Sequence, residues 1–335
     1  MFAYIVKRLI SGFLVVTLVS MAVFALFWYG PASPAQPICD RETSNRCGDR
    51  IEIYKENLGY NNPIYSEYGK FVKGIFVGRD ITFASTTYEC GAPCLGLSYN
   101  TKEPVTEELV SRLPATISVA VGGAFLYLLL GVPIGVAAAR RRGTLADKAL
   151  VSSFLFVSSI PYYLLALLTW LYFTVLWEAP FVSDVGYFSP VTEGPAKWFG
   201  GLFLAWMALG FWGCTQYTRF TRGAMVEALS EDYIRTAKAK GLPTRTIVYR
   251  HGLRAALVPV VTIFGIDFGT LLAGTIFTER IFEIDGIGYW ALRAVFNKDL
   301  PVVAAVSLFA AIMLIVSNVL VDLIYSFLDP RVRLS

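Results

Sequence analysis

Few side chains in this 335-residue sequence could do covalent or metal chemistry. Histidine occurs once, as His251. A zinc-protease helix needs two His on one face, so that chemistry and any multi-His metal site are excluded. A phosphate-binding loop needs Gly-Lys followed by Ser or Thr, whose hydroxyl holds the metal; here Gly69-Lys70 runs into Phe71. Neither S-x-x-K nor G-x-S-x-G occurs. No catalytic residue, no metal site and no ATP hydrolysis by this chain are expected. What remains is charge and thiol chemistry: a basic segment over 230–259, the carboxylates Asp267 and Asp322 within apolar stretches, and five cysteines.

The elements that position these groups follow from composition. Hydrophobic residues make up 55% of the chain and charged residues 16%, with a mean hydropathy of +0.55. A soluble protein of this length carries about 25% charged residues. About 20 helical residues cross a bilayer core. Six windows of that length lack charge, or nearly so: residues 9–29, 113–139, 149–177, 198–218, 255–278 (interrupted by Asp267) and 300–321. The expectation is an all-α polytopic membrane protein with six transmembrane helices. Lys7 and Arg8 before the first window also suit a signal peptide. The window is longer than the ~7–15 residues of a signal core, so it reads as a retained span.

Sidedness follows from Lys and Arg placement. With the N-terminus in the cytoplasm, sixteen of the 29 basic residues fall inside, against five acidic ones. The outside segments are net acidic. Both termini are therefore expected in the cytoplasm. The expected division is 1–29 for the N-terminus and first helix, and 30–112 for an extracytoplasmic domain of mostly short helices. A five-helix core follows over 113–326 with a cytoplasmic loop at 219–254, and a cytoplasmic tail at 327–335.

Four cysteines lie in that outside region: Cys39, Cys47, Cys90 and Cys94. An even number on the oxidising side suggests disulfides, and Cys39–Cys47 with Cys90–Cys94 is the simplest of three pairings. Four free thiols, or a zinc site built from all four, are the competing readings. Cys214 reads as a small packing residue.

Residues 230–259 carry the strongest local signal. Ser230 suits an N-cap, and Glu231 and Asp232 put negative charge at the positive end of a helix. Lys238 and Lys240 lie near its C-terminus, Gly241 supplies the stop, and Pro243 follows. A second helix from about Thr244 leads into the fifth span. The first helix is basic and rich in small residues (Ala237, Ala239, Gly241), which let another backbone approach closely. It reads as a docking element, with a solvated connector as the bland alternative.

Residues 232–242, DYIRTAKAKGL, resemble the "DYVRTARAKGL" segment of ABC-importer permeases for dipeptides and oligopeptides. His251, Leu253, Arg254, Ala256, Leu257 and Pro259 continue that family's "H-x-LR-x-AL-x-P". The wider class has an "EAA…G" loop here; Ala237 and Gly241 are kept, and Arg235 stands at the glutamate position. Further likeness runs from Lys7-Arg8-Leu9, through Leu58-Gly59, Pro63, Tyr65 and Tyr68, to Arg112-Leu113-Pro114-Ala115-Thr116. It continues at Glu279, Phe282, Gly286, Gly288 and Pro301, and at Asn318, Asp322, Tyr325 and Asp329-Pro330-Arg331. The long first outside loop resembles the B-type permease rather than its C-type partner. The chain departs at Gly78-Arg79-Asp80, where Gly-Asp-Leu-Gly is expected, at the inserted 90–94 segment, and at Asp285, where proline is common.

The resemblance implies the type I ABC importer permease fold. It implies a second permease subunit, two cytosolic ATPases holding ATP and Mg, an extracytoplasmic peptide-binding protein and a peptide substrate. No cofactor belongs to this chain, and no nucleic acid is a partner. The coupling helix would comprise Glu231, Asp232, Tyr233, Arg235, Thr236, Ala237, Lys238, Ala239, Lys240 and Gly241. Pathway or gate candidates are Asp267, Glu279, Gly286 and Gly288. Asp267 either faces the pathway and attracts a peptide ammonium, or pairs with a polar group on another helix. Gly265 and Gly269 form a G-x-x-x-G pair on the other side of that helix. Asp322, Asp329 and Arg331 are expected to be structural, with Asp322 ion-paired to the basic loop in preference to a gating role. His251 reads as a positioned loop residue. Residues 281–296 read either as a re-entrant or interfacial element near an outer gate, or as an ordinary loop. Nickel chelates, glutathione or oligosaccharides are alternative cargoes on the same architecture; a membrane scaffold or intramembrane enzyme without ATPases is the alternative class.

Overall fold

The computed structural model describes residues 2–29, 35–36, 39, 47–48, 51–83, 86–179 and 185–328. Among these residues, five helices are long and apolar enough to cross a membrane. They are α1 (Phe2–Tyr29), α4 (Val105–Arg140), α7 (Pro195–Ser230), α9 (Thr244–Ala273) and α12 (Leu300–Leu328). At 1.5 Å per residue, the 36-residue α4 is about 54 Å long and exceeds a bilayer core of about 30 Å. Large apolar side chains on these helices stay exposed, among them Phe13 at 74% and Leu26 at 70% on α1. Such surface is stable against lipid and costly against water.

The third window is not one straight span. Helices α5 (Leu145–Ser159) and α6 (Tyr162–Trp170, with a π turn Leu171–Leu176) meet at 88°. Pro161 causes the break. It has no N–H to donate, and its ring disfavours helical geometry at Ile160, which is extended at φ −77°, ψ 125°. A window read only for charge passes over this bend.

The chain forms two compact units. The first comprises Phe2–Pro114 with Gly286–Met313. It contains α1, α2 (Ile51–Asn57), α3 (Ile64–Val77) and α11 (Ile287–Phe296). It also holds an antiparallel hairpin, β1 (Arg79–Phe83) and β2 (Thr86–Cys90), with Arg79 opposite Cys90. The chain is mostly helical, and this region adds a hairpin to its short helices. The segment is rich in Thr and in Ile, Phe and Tyr, which suit a pleated surface. The Thr82 and Thr87 hydroxyls meet across the pair at 3.2 Å. Cys90 is disulfide-bonded to Cys94 and Cys39 to Cys47, with Cα separations of 5.5 and 5.4 Å. Elsewhere in this unit, Asp299 accepts bonds from Ser98 Oγ and from the backbone N–H groups of Tyr99 and Asn100. That carboxylate pins the 98–100 turn to the start of α12.

The second unit comprises Ala115–Asp285 and the chain from Leu314. In it α4 packs closely against α7, and glycines set the spacing. A Cβ at Gly131 would lie 2.7 Å from Tyr217 Cβ, and one at Gly135 2.7 Å from Thr221 Cβ and 2.8 Å from the Thr218 carbonyl. From α7, Gly213 meets the Tyr127 ring in the same way, at 2.8 Å. Small residues let two backbones approach where lipid offers no hydrophobic drive between helices. On α9, Gly265 and Gly269 pack against Val321, Leu314 and Ser317 of α12.

Candidate functional site

Helix α7 does not stop at the fourth apolar window but runs on to Ser230. Ser230 is its last residue, and its hydroxyl donates back to the Glu227 carbonyl at 2.7 Å. Ser230 is therefore not the N-cap of the next helix; Glu231 is, extended at φ −67°, ψ 153° and without a side-chain cap bond. The serine side chain is satisfied within its own helix, so the cap falls one residue later.

From Glu231 the chain enters α8 (Asp232–Ala239). Ile234 and Ala237, three residues apart, are buried and pack with Ile247 and Leu229. Tyr233, Arg235, Thr236, Lys238, Ala239, Lys240 and Gly241 are all exposed. Arg235 and Asp232 form an exposed pair at 3.3 Å. Burial of its ring and the nearby Glu231 charge raise the Tyr233 pKa. The helix closes in a Schellman turn: Leu242 N–H donates to the Ala237 carbonyl and Gly241 N–H to that of Lys238. Gly241 sits at φ +74°, and nothing lies within 4 Å of where its Cβ would be. A short basic helix is thus anchored by two side chains and presents its other face outward.

One residue pair of the same unit was not foreseen. Asp147 is 3% exposed in the first turn of α5, and Arg222 of α7 donates to both its oxygens at 2.7 Å. Thr144 Oγ1 caps the Asp147 N–H, as the T-x-x-D spacing suggests, while the Asp147 carboxylate accepts from Gly143 N–H, one residue before the N-cap. The Arg222 partner, 75 residues away, leaves no local trace. We expect Arg222→Asp to lower the folded yield severalfold, by facing two carboxylates in a buried site. The swap Asp147→Arg with Arg222→Asp should recover part of it. Detergent size-exclusion profiles measure this, and purely additive losses would contradict the pairing.

Asp267 lies half-buried on α9 and accepts a 2.8 Å hydrogen bond from Tyr217 Oη of α7. Tyr217 stacks on Tyr127 with ring centroids 4.6 Å apart. Glu279, in α10 (Ile276–Ile281), is fully buried and accepts from Thr116 Oγ1 at 2.9 Å. Its neighbour Thr278 meets Tyr162 Oη at 2.6 Å. Gly286 and Gly288 belong to the other unit, at the N-cap and first turn of α11. The 281–296 stretch is therefore the end of α10, a turn and a ten-residue helix. Asp322 lies half-buried on α12 and His251 at the π turn Ile247–Gly252 of α9. Asp329 and Arg331 lie outside the described residues. Among the described residues, no group of three or more His, Cys, Asp or Glu could hold a metal ion.

The sequence matches known proteins over nearly its whole length. Residues 131–334 match the family described as "Binding-protein-dependent transport system inner membrane component". Residues 1–120 match the N-terminal region of the same kind of component. The chain belongs to this permease family. It is an inner-membrane component of an ABC transporter. A "Probable peptide ABC transporter permease protein y4tP" of Sinorhizobium fredii is 32% identical over 98% of this chain and 99% of its own. "Dipeptide transport system permease protein DppB" of Alkalihalophilus pseudofirmus is 32% identical over 99% and 100%. The protein of that name in Escherichia coli K12 is 34% identical over 82% and 83%. In fold, this permease is similar to a chain of the inward-facing MetNI methionine ABC transporter. The TM-score is 0.51 at 19% identity, covering 68% of this chain and 99% of that one.

Proposed function

We propose that this permease forms half of the translocation pathway of an importer for dipeptides and oligopeptides, beside a second permease subunit. Two cytosolic ATPases hold ATP and Mg, and a binding protein delivers peptide from outside. Both termini and α8 then lie in the cytoplasm, in keeping with the Lys and Arg excess of those segments. The observation that carries the coupling role is α8: two side chains anchor it to its own subunit, and its exposed face is basic and lined by small residues. Basic side chains of this kind pair with carboxylates of a partner groove. Cargo is supported by the peptide and dipeptide permeases that share about a third of its residues over nearly full length. Cells lacking the chain should lose uptake of labelled dipeptides and regain it with the wild-type gene; unchanged uptake in its absence would contradict the proposal.

Within the pathway, Asp267 holds the peptide ammonium. Tyr217 occupies one carboxylate oxygen and fixes its direction, and the group keeps part of its surface open. An intramembrane carboxylate is costly unless it faces a cavity or a partner. Asp267→Asn is expected to reduce dipeptide uptake by about tenfold. N-acetylated peptides, lacking the ammonium, should be transported equally by both forms. Unchanged uptake of every peptide removes Asp267 from substrate contact.

A further inference from the structure

The unit containing the hairpin encloses a cavity of about 510 Å³. Small-molecule sites span roughly 300–1,000 Å³. One wall is aromatic: Trp28 stacks on Tyr60 at 4.8 Å, and Phe24 lies 5.9 Å from Phe71. Arg79, where β1 begins, lines the cavity with its guanidinium 5.6 Å from the centroid of the Phe71 ring. Its Nε is buried and has no hydrogen-bond partner. Burial disfavours its charge, and Tyr99 and Glu67 offset this only in part. Glu67 Oε1 is already engaged, accepting from Asn62 at 2.8 Å and from Lys70 at 2.6 Å. The cavity therefore offers a half-buried guanidinium whose Nε–H lacks an acceptor, beside an apolar wall. None of the pathway or coupling residues uses it.

We propose that this cavity binds a small carboxylate with an apolar body, its carboxylate on Arg79 and its apolar part against Trp28, Tyr60 and Phe71. A planar guanidinium recognises carboxylates through charge-assisted, directional hydrogen bonds. On the peptide-import reading, on which this last step rests, the ligand is the C-terminal end of a short peptide with an apolar last residue. The site is then an accessory peptide site apart from the Asp267 position.

Arginine modification of the full-length wild-type protein in nanodiscs tests this without any variant. Labelling of Arg79 by phenylglyoxal, read by mass spectrometry, should slow by about tenfold in saturating alanyl-phenylalanine. The amide of the same dipeptide should give no protection. Equilibrium dialysis should show the free acid binding about tenfold more tightly than the amide, and Arg79→Gln should abolish that difference. Equal behaviour of acid and amide, or an Arg79 that reacts at one rate throughout, overturns the site. Protection by 3-phenylpropanoate but not by the dipeptide supports the carboxylate site and overturns its peptide ligand. Normal dipeptide uptake together with an unprotected Arg79 overturns the site and leaves the importer reading standing.

Discussion

Gly241→Glu should abolish peptide uptake while the chain still inserts in the membrane at normal levels. Two physical effects act at this position. Gly241 closes the Schellman turn of α8 at φ +74°, where an ordinary L-residue costs roughly 1–2 kcal/mol. That strain is local and lies outside the apolar spans. The second effect is the side chain itself, which would project from an exposed face with nothing within 4 Å. In the proposed complex the ATPase groove fills that space, so a carboxylate there opposes both the close approach and the basic charge of Lys238 and Lys240. Gly241→Asn separates the two effects, because asparagine tolerates the left-handed conformation. The docking role predicts that Asn also loses uptake, since its side chain enters the groove. Uptake assays in cells, with the membrane fraction quantified in parallel, decide the matter. Wild-type uptake by Gly241→Glu would remove the coupling role. Rescue by Asn would assign the loss to the turn alone.

Gly135→Ile should have the largest effect on folding. A Cβ there already lies 2.7 Å from Thr221 Cβ, 2.8 Å from the Thr218 carbonyl and 3.1 Å from the Arg222 nitrogen. Two of these atoms are backbone of α7 and can yield only if the whole helix moves. Overpacking of this kind costs about 1–3 kcal/mol where neighbours can adjust, and more where they cannot. It would also push Arg222, the next residue along, away from Asp147. We expect most of the Gly135→Ile protein to aggregate in mild detergent, with Gly135→Ala intermediate. Thr221→Gly should rescue Gly135→Ala only in part, because it removes the Cβ contact and leaves the Thr218 carbonyl. Gly223 on α7 is the control: nothing lies within 4 Å of its Cβ position, so Gly223→Ala should leave the folded yield unchanged. A monodisperse Gly135→Ile protein with wild-type yield would refute the close packing of α4 on α7.

The parts of this fold legible in the sequence were those set by local rules. Charge-free windows locate α1, α4, α7, α9 and α12, because a bilayer core tolerates few charges whatever the topology. The Gly241 stop was readable because a Schellman turn has a local residue requirement. Three features were misread although their cause was local. Ile160-Pro161 encodes the 88° bend, but only to a reading that asks what conformation precedes proline. The alternation around Thr86–Cys90 encodes a strand, and an expectation of mostly short helices passes over it. Ser230 suits a helix start and a helix end equally, and the length of α7 decides between them. Other features had no local signal at all. Arg222 finds Asp147, Tyr217 finds Asp267 and Thr116 finds Glu279 only because α4, α5, α7, α9 and α10 pack as they do. The Arg79 cavity is the same case. The sequence marked residues 78–80 as unusual, and only the packing of α1 and α3 shows what surrounds the guanidinium.

Reconstitution tests the central claim most directly. The wild-type chain is assembled in proteoliposomes with its second permease subunit, both ATPases and the binding protein, and uptake of labelled dipeptide is followed with and without ATP. The proposed function predicts ATP-dependent uptake and ATP hydrolysis stimulated by the peptide-loaded binding protein, both lost with Gly241→Glu. Peptide uptake that is indifferent to ATP, or an assembled complex whose ATP hydrolysis ignores the peptide-loaded binding protein, would contradict it.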